Sequence, residues 1–337
     1  MRRTLMFVPF LLPLLMVWTA CGTDKTMGGG RAFVNQPVAG GASPEVVLPA
    51  GTVPPGGNPD GNLLLPPPMA APATDGTCNQ DVDIVFVLDV SGSMIPPLST
   101  LEREVDLVDQ ALQTKNLPHP PHYGLVVFVD SAQMLNGGMP FADVTAVKAE
   151  LSAQITATQG DPSRQLGGAM SDNLTWPENA LDGLWAAATE YQWREPGKTL
   201  RTIILITDAS FWDLADASSG HMTEINNTGF FPAHLSMHGY DDTIAQLRMQ
   251  QIWVNTFAAK TGGPPDGMMS PPSHGEFRGT TVNVGIGYFE PYKGKPSLAE
   301  STGGAAWDVD DVFDMKISLA TPINESIEAR QCAVYPQ

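Results

Sequence analysis

Positive charge is scarce in this chain: 18 Lys and Arg stand against 36 Asp and Glu, a formal charge of -18. That shortage excludes a nucleic-acid footprint and electrostatic attraction to anionic lipid, because both need clustered basic side chains. Nucleotide-binding signatures are missing as well. The run Gly28-Gly29-Gly30 follows no strand and has no P-loop lysine after it. Three histidines, His221, His234 and His238, invite a zinc reading, but no His-Glu-x-x-His is present, and Phe-Pro and Gly neighbours point to loop. No repeat of fixed period is visible. Cysteine is rare too, with only Cys21, Cys78 and Cys332, and each has its own explanation below.

What is present is ample apolar material, 42% of 337 residues, enough for one domain of about 200 to 250 residues with extras. The segments alternate in kind. Ile84 to Leu88 is a continuous apolar, β-branched run, which predicts a strand buried on both faces and ending at Asp89. A capping box at Ser99 with Glu102 predicts a helix to about Lys115, with Leu101, Val105, Val108 and Leu112 on one face. His122 to Asp130 reads as a second strand, Ala146 to Thr156 as a helix, and Pro177 opens another that runs to Tyr191. Thr202 to Thr207 is a further buried strand, ending at Asp208. A helix from Asp241 and a strand over Ile252 to Phe257 follow. Two long aperiodic stretches, near 211–240 and 261–297, read as insertions, the second with strand-like Thr281 to Ile286 inside it. A short helix ends at Gly303-Gly304, and Val312 to Ala329 is helical with a reset at Thr321-Pro322. This order predicts an α/β fold: a doubly wound, mostly parallel central sheet flanked by helices.

The chemistry concentrates after the first strand, in Asp89-Val90-Ser91-Gly92-Ser93. One carboxylate and two hydroxyls alternate there, and the glycine allows a turn tight enough to bring all three together. Hard oxygen donors, mostly neutral, suit Mg2+, with Mn2+ and Ca2+ as alternatives, and do not suit zinc or copper. This Asp-x-Ser-x-Ser with its preceding strand resembles the metal-ion-dependent adhesion site of von Willebrand factor type A domains. Two further segments resemble the site loops of integrin beta subunits. Asn173 to Glu178 is similar to the second loop, with Glu178 as the implied ligand and Thr175 as the fallback. Thr207 to Phe211 is similar to the third, with Asp208 as the match. Leu298 to Gly304 is also typical of the family. Ile95, Pro96 and Pro97 replace the acids that build a neighbouring cation site in integrins, so a second cation is not expected.

The resemblance implies a binding module rather than an enzyme: the cation keeps an open position for a carboxylate from a protein partner. No base with an activated water is evident for a hydrolase. Phe211 and Trp212, beside Asp208, are expected to supply a partner-binding loop. The alternative is an envelope scaffold in which the metal is structural.

The N-terminus resembles a bacterial lipoprotein signal peptide over 1–20: Arg2 and Arg3, an apolar stretch from Leu5, then Trp18-Thr19-Ala20-Cys21. Cys21 would be lipidated, and Gly22 in place of Asp implies the outer membrane, so membrane contact is expected only through the anchor. Residues 21–77 form a linker: Gly22 to Thr77 holds 11 glycines and 10 prolines in 56 residues, a composition that reads as a tether. The type A domain is expected over 78–337. Cys78 and Cys332 bracket it, which resembles the terminal disulfide of some type A domains. Closing so long a loop is worth roughly 5 kcal/mol in the chain-entropy account.

Overall fold

A computed structural model describes residues 79–161, 166, 178–214, 238–260, 274–277, 280–283 and 285–336. The expected lipidation site Cys21, the linker, Cys78, the second-loop residue Thr175 and most of the first insertion lie outside the described residues. Among the described residues no helix is long and apolar enough to cross a membrane.

The strands are β1 (Asp81–Asp89), β2 (His122–Phe128), β3 (Ala132–Met134), β4 (Thr199–Thr207), β5 (Ile252–Ala258), β6 (His274–Phe277), β7 (Thr280–Asn283) and β8 (Ala306–Asp308). Six of them form one sheet in the order β3-β2-β1-β4-β5-β8. All neighbouring pairs are parallel except β2 with β3. Every residue of β1, β4 and β5 is buried. That is why their central stretches, Ile84 to Leu88 in β1 and Ile203 to Ile206 in β4, are continuously apolar: a parallel strand covered on both faces has no polar side to show.

The covering helices are α1 (Ile95–Gln113), α2 (Val144–Gly160), α3 (Ala180–Glu190), α4 (Tyr240–Met249), α5 (Leu298–Thr302), α6 (Val309–Phe313) and α7 (Ala320–Arg330). Helix α1 packs against α2 and α7, and α3 packs against α4. The expected doubly wound α/β architecture is therefore present. Strands β6 and β7 make a separate antiparallel hairpin inside the second insertion.

Several boundaries differ from the sequence expectation, each for a local reason. Ser99 does not cap α1, which starts four residues earlier with prolines in its first turn. Proline has no N–H to leave unsatisfied there and its φ is already helical. Pro177 does not open α3. That helix starts at Ala180, because Asn179 and Glu178 are held outside it by hydrogen bonds to neighbouring loops. The helical reset comes before Thr321 rather than at it. Residues 314–319 break the helix, and Ser318 Oγ accepts from the N–H groups of Ala320 and Thr321. Helix α2 is longer than expected, from Val144, with the Asp143 side chain accepting from Ala146 N.

Glu104, on α1, ties the last helix to the first. Its Oε2 accepts from Ser318 Oγ at 2.7 Å, Leu319 N at 2.8 Å and Ala320 N at 3.2 Å. A single carboxylate oxygen thus accepts from N–H groups at the start of α7. Glu104→Ala leaves Leu319 N and Ser318 Oγ without this acceptor, and a loss of about 2 kcal/mol is expected. Urea unfolding of the variant beside the wild type checks it: an unchanged midpoint contradicts this account.

Candidate metal site

Strand β1 pairs with β2 on one side and β4 on the other, and the strand order runs outward from it in both directions, to β3 and to β8. In an open parallel sheet such a switch point leaves a crevice at the carboxyl ends of the strands. Asp89 is the last residue of β1, and Asp208 follows the last residue of β4. Pairing continues to the end, so Thr207 arrives beside Asp89 and donates from Oγ1 to Asp89 Oδ2 at 2.8 Å. The other oxygen, Oδ1, accepts from Ser91 N at 2.8 Å. Asp89 is thereby held by backbone and hydroxyl donors, with no cation involved in either bond.

The two serines complete the first loop. Ser91 Oγ and Ser93 Oγ are 3.2 Å apart, and Ser93 Oγ donates to Asp208 Oδ1 at 3.1 Å. Asp89, Ser91, Ser93 and Asp208 are therefore one connected oxygen cluster. The sequence reading brought these four residues together, and the structure does the same.

Glu178 joins from the second loop. Its N–H donates to Ser210 O at 2.9 Å, and Trp212 N donates to Glu178 O at 3.2 Å, so a short parallel bridge joins it to Phe211. It is thus fixed to the third loop, ahead of α3 rather than in its first turn. The side chain is 4% exposed, and Oε2 is buried with no hydrogen-bond partner. Burial pushes its carboxyl well above the usual range, and the charges of Asp89, Asp130 and Asp208 push it further. Asp208 is pushed up to about 8 by burial and by Asp89, and Asp89 up to about 6 by burial.

Three residues of this neighbourhood escaped the sequence reading. Asp130, 1% exposed, lies just beyond the end of β2, and its charge acts on Glu178. A third buried strand ending in an acid was the available signal. Thr207 carries the bond to Asp89. Tyr288, from the second insertion, is fully buried, and the charges of Asp89, Glu178 and Asp208 all raise its phenol. Nothing in the irregular sequence around it marks it.

Phe211 and Trp212 require a correction. They are 8% and 2% exposed, and so are not available to a partner. The bridge to Glu178 turns the loop inward. Phe211 then packs among Tyr240, Tyr288 and Tyr292, with ring centroids 5.0 to 5.7 Å away. The zinc reading finds no support at His238, which is stacked on Trp185 at 4.0 Å and held by Asp182 Oδ1 2.7 Å from Nδ1. His221 and His234 lie outside the described residues.

The donor set can be tested against a divalent cation. Among the described residues no group of three or more His, Cys, Asp and Glu side chains makes a ligand set alone. The set is mixed: Ser91 and Ser93 hydroxyls with Asp89 and Asp208 bonded around them, and Glu178 beside them. Buried like charges with an orphaned carboxylate oxygen fit such an ion, and hard oxygens select its class. The described region has the doubly wound, mostly parallel sheet that the sequence resemblance implies, with Asp89, Ser91, Ser93, Asp208 and Glu178 at one sheet edge, and in this it is similar to a von Willebrand factor type A fold.

No family model matches the chain, and no curated protein matches it. Among solved structures, an aerotolerance-related membrane protein of Bacteroides fragilis is similar over 74% of this chain and 99% of its own, at 15% identity and a TM-score of 0.40. A conserved hypothetical protein of Bacteroides thetaiotaomicron, BatB, is similar over 74% and 100%, at 13% identity and 0.37. Proximal thread matrix protein 1 of the mussel byssus, described with a zinc-occupied adhesion-site motif, is similar over 55% of this chain and 37% of its own, at 19% identity and 0.31.

The raised carboxyls carry a pH prediction. Asp89 and Asp208 hold protons more tightly in the folded chain than in the unfolded one, so the folded state binds more protons between about pH 4 and 8. Stability of the metal-free protein then falls as pH rises through that window. Melting with a chelator present should give a higher Tm at pH 5.5 than at pH 8, with a smaller difference in Asp208→Asn. A Tm that rises from pH 5.5 to 8, or an equal difference in the variant, contradicts the assignment.

Proposed function

We propose that the chain is a divalent-cation-dependent protein-binding module of the bacterial envelope, tethered through a lipid on Cys21, that engages an acidic residue of a protein partner. One observation carries the reading: Asp89, Ser91, Ser93, Asp208 and Glu178 meet at the sheet edge with a buried carboxylate oxygen of Glu178 left unpartnered. Magnesium is the favoured ion for that oxygen set, with manganese and calcium as alternatives. When bound, it would supply an electrophilic centre able to accept a carboxylate oxygen.

The chain's own residues do the rest. Thr207 and the Ser91 N–H hold Asp89 in one orientation through both of its oxygens. Ser93, bonded to Asp208, couples the first loop to the third, and the Glu178 bridge couples the third to the second. The first and third loops and Glu178 are thereby fastened to one another at the sheet edge before any partner arrives, which lowers the ordering cost of binding. The function proposed is binding without turnover. Thr175 stays a fallback ligand. The flanking bridge between Cys78 and Cys332 is part of the same proposal. Its support is that Cys332 N donates to Gln80 Oε1 at 2.8 Å, which brings the C-terminal cysteine beside the chain just after Cys78.

Pull-down from envelope extract tests the central claim. Capture of a partner should need Mg2+, stop with a chelator and stop in Asp89→Ala. Capture that survives both favours the scaffold reading with a structural metal. Turnover of an ester or phosphate substrate that disappears in Asp208→Asn would replace it with a hydrolase. Non-reducing mass spectrometry of the mature protein should show Cys78 linked to Cys332, and free thiols at both positions would refute the bridge.

A further inference from the structure

Two buried oxygens at the candidate site have no protein partner: Glu178 Oε2 and the phenol of Tyr288. Tyr288 comes from the second insertion and is 0% exposed. Its position is set by a tight turn in which the N–H groups of Tyr288 and Phe289 both donate to Gly285 O, at 3.2 and 2.9 Å. Gly287 adopts φ +86°, and a Cβ there would meet Phe211 Cε1 at 2.5 Å, so only glycine lets the turn close this far onto the third loop. Leu298 N donates to Gly287 O at 2.8 Å and fastens the turn to α5.

The Tyr288 ring stands edge-on to Phe211 at 5.4 Å, and the Phe211 backbone is the one bridged to Glu178. The tyrosines packed on Phe211 beside it use their hydroxyls within the protein. Tyr240 donates to Pro296 O at 2.6 Å, and Tyr292 donates to Asp213 Oδ2 at 2.8 Å. Tyr288 is bound by the same cluster and donates to nothing in it.

We propose that Tyr288 is a positioning residue of the cation site, its hydroxyl donating into the hydrated oxygen shell that a divalent ion brings to Asp89, Glu178 and Asp208. The inference rests on the metal-dependent reading above and extends it to the second insertion. A tyrosine phenol is neutral at neutral pH, so it serves as a neutral donor. A neutral donor orients the shell without adding negative charge, and so leaves the ion electrophilic. Partners of this kind behind metal sites commonly change affinity by about tenfold or more.

The test is calorimetric titration of the full-length chain with Mn2+, and separately with Mg2+, in wild type, Tyr288→Phe and Tyr292→Phe. Tyr288→Phe should weaken ion binding about tenfold while the metal-free Tm stays equal or rises, because the variant removes an unsatisfied buried hydroxyl. Tyr292→Phe, which loses a bond to Asp213, should lower the metal-free Tm instead. Equal ion affinity in Tyr288→Phe and wild type overturns the role of Tyr288 alone. So does a metal-free Tm lowered in Tyr288→Phe as much as in Tyr292→Phe, which would mark a purely structural hydroxyl. A wild type that takes up neither ion overturns this inference together with the metal-dependent reading.

Discussion

Burying carboxylates of one sign in one place is the constraint around which this structure is arranged. Asp89, Asp208 and Glu178 are each 6% exposed or less, and each raises or shares the electrostatic cost of another. A protein interior tolerates such a group only if hydrogen bonds, a counter-charge or protonation relieves it. Hydrogen bonds relieve part of it here: Thr207 and the Ser91 N–H serve Asp89, and Ser93 serves Asp208. Glu178 Oε2 receives nothing. The strain is therefore uneven, and it is concentrated on the residue that faces the other two.

Strand β1 supplies an internal comparison. Near its first end it also buries a carboxylate, Asp83, at 0% exposure. There the chain provides a guanidinium: Arg194 donates from Nε to Asp83 Oδ1 at 2.6 Å and from its backbone N to Oδ2 at 2.8 Å. Burial still raises Asp83, but Arg194 acts against it. At the far end of the same strand, Asp89 has donors without full positive charge. One strand thus carries buried acids at both ends, Asp81 and Asp83 matched by a fixed cation of the protein and Asp89 left to hydroxyls and amides. The second arrangement leaves room for a charge that the chain does not itself carry.

Much of this was legible in the sequence because it is encoded in strand ends. A run such as Ile84 to Leu88 has one physical reading, burial on both faces, and an acid at the end of such a run has to lie at the carboxyl edge of the sheet. Asp89 and Asp208 follow from that rule, and Asp130 would have followed had it been applied to the third run. Glu178 was reached through likeness to a loop, and its local geometry came out differently. It is held by a backbone bridge to Phe211 instead of sitting in a helical turn. Phe211 and Trp212 were misread for an instructive reason. Aromatic residues in an aperiodic stretch carry no periodicity to say which way they point, and here both are buried, Phe211 against tyrosines from α4 and the second insertion. The helix starts were misplaced where side-chain and proline effects compete, at Met94 to Pro97 and at Asp314 to Leu319.

The inward turn of Phe211 has a consequence for how a partner could be chosen. If the third loop spends its rings on the interior, selectivity cannot come from them. Under the proposed binding role it would come from what borders the oxygen cluster at the surface. Ser93 is the cluster member that is only partly buried, which makes it the edge at which the site meets solvent. The second insertion contributes Tyr288 to the buried side and is held to the third loop through Asp213, which accepts from Tyr292 and pairs with Lys293 at 3.3 Å. A contact that shifts the insertion would therefore bear on the third loop and, through Ser210 and Phe211, on Glu178. In this arrangement the insertion is mechanically part of the oxygen cluster.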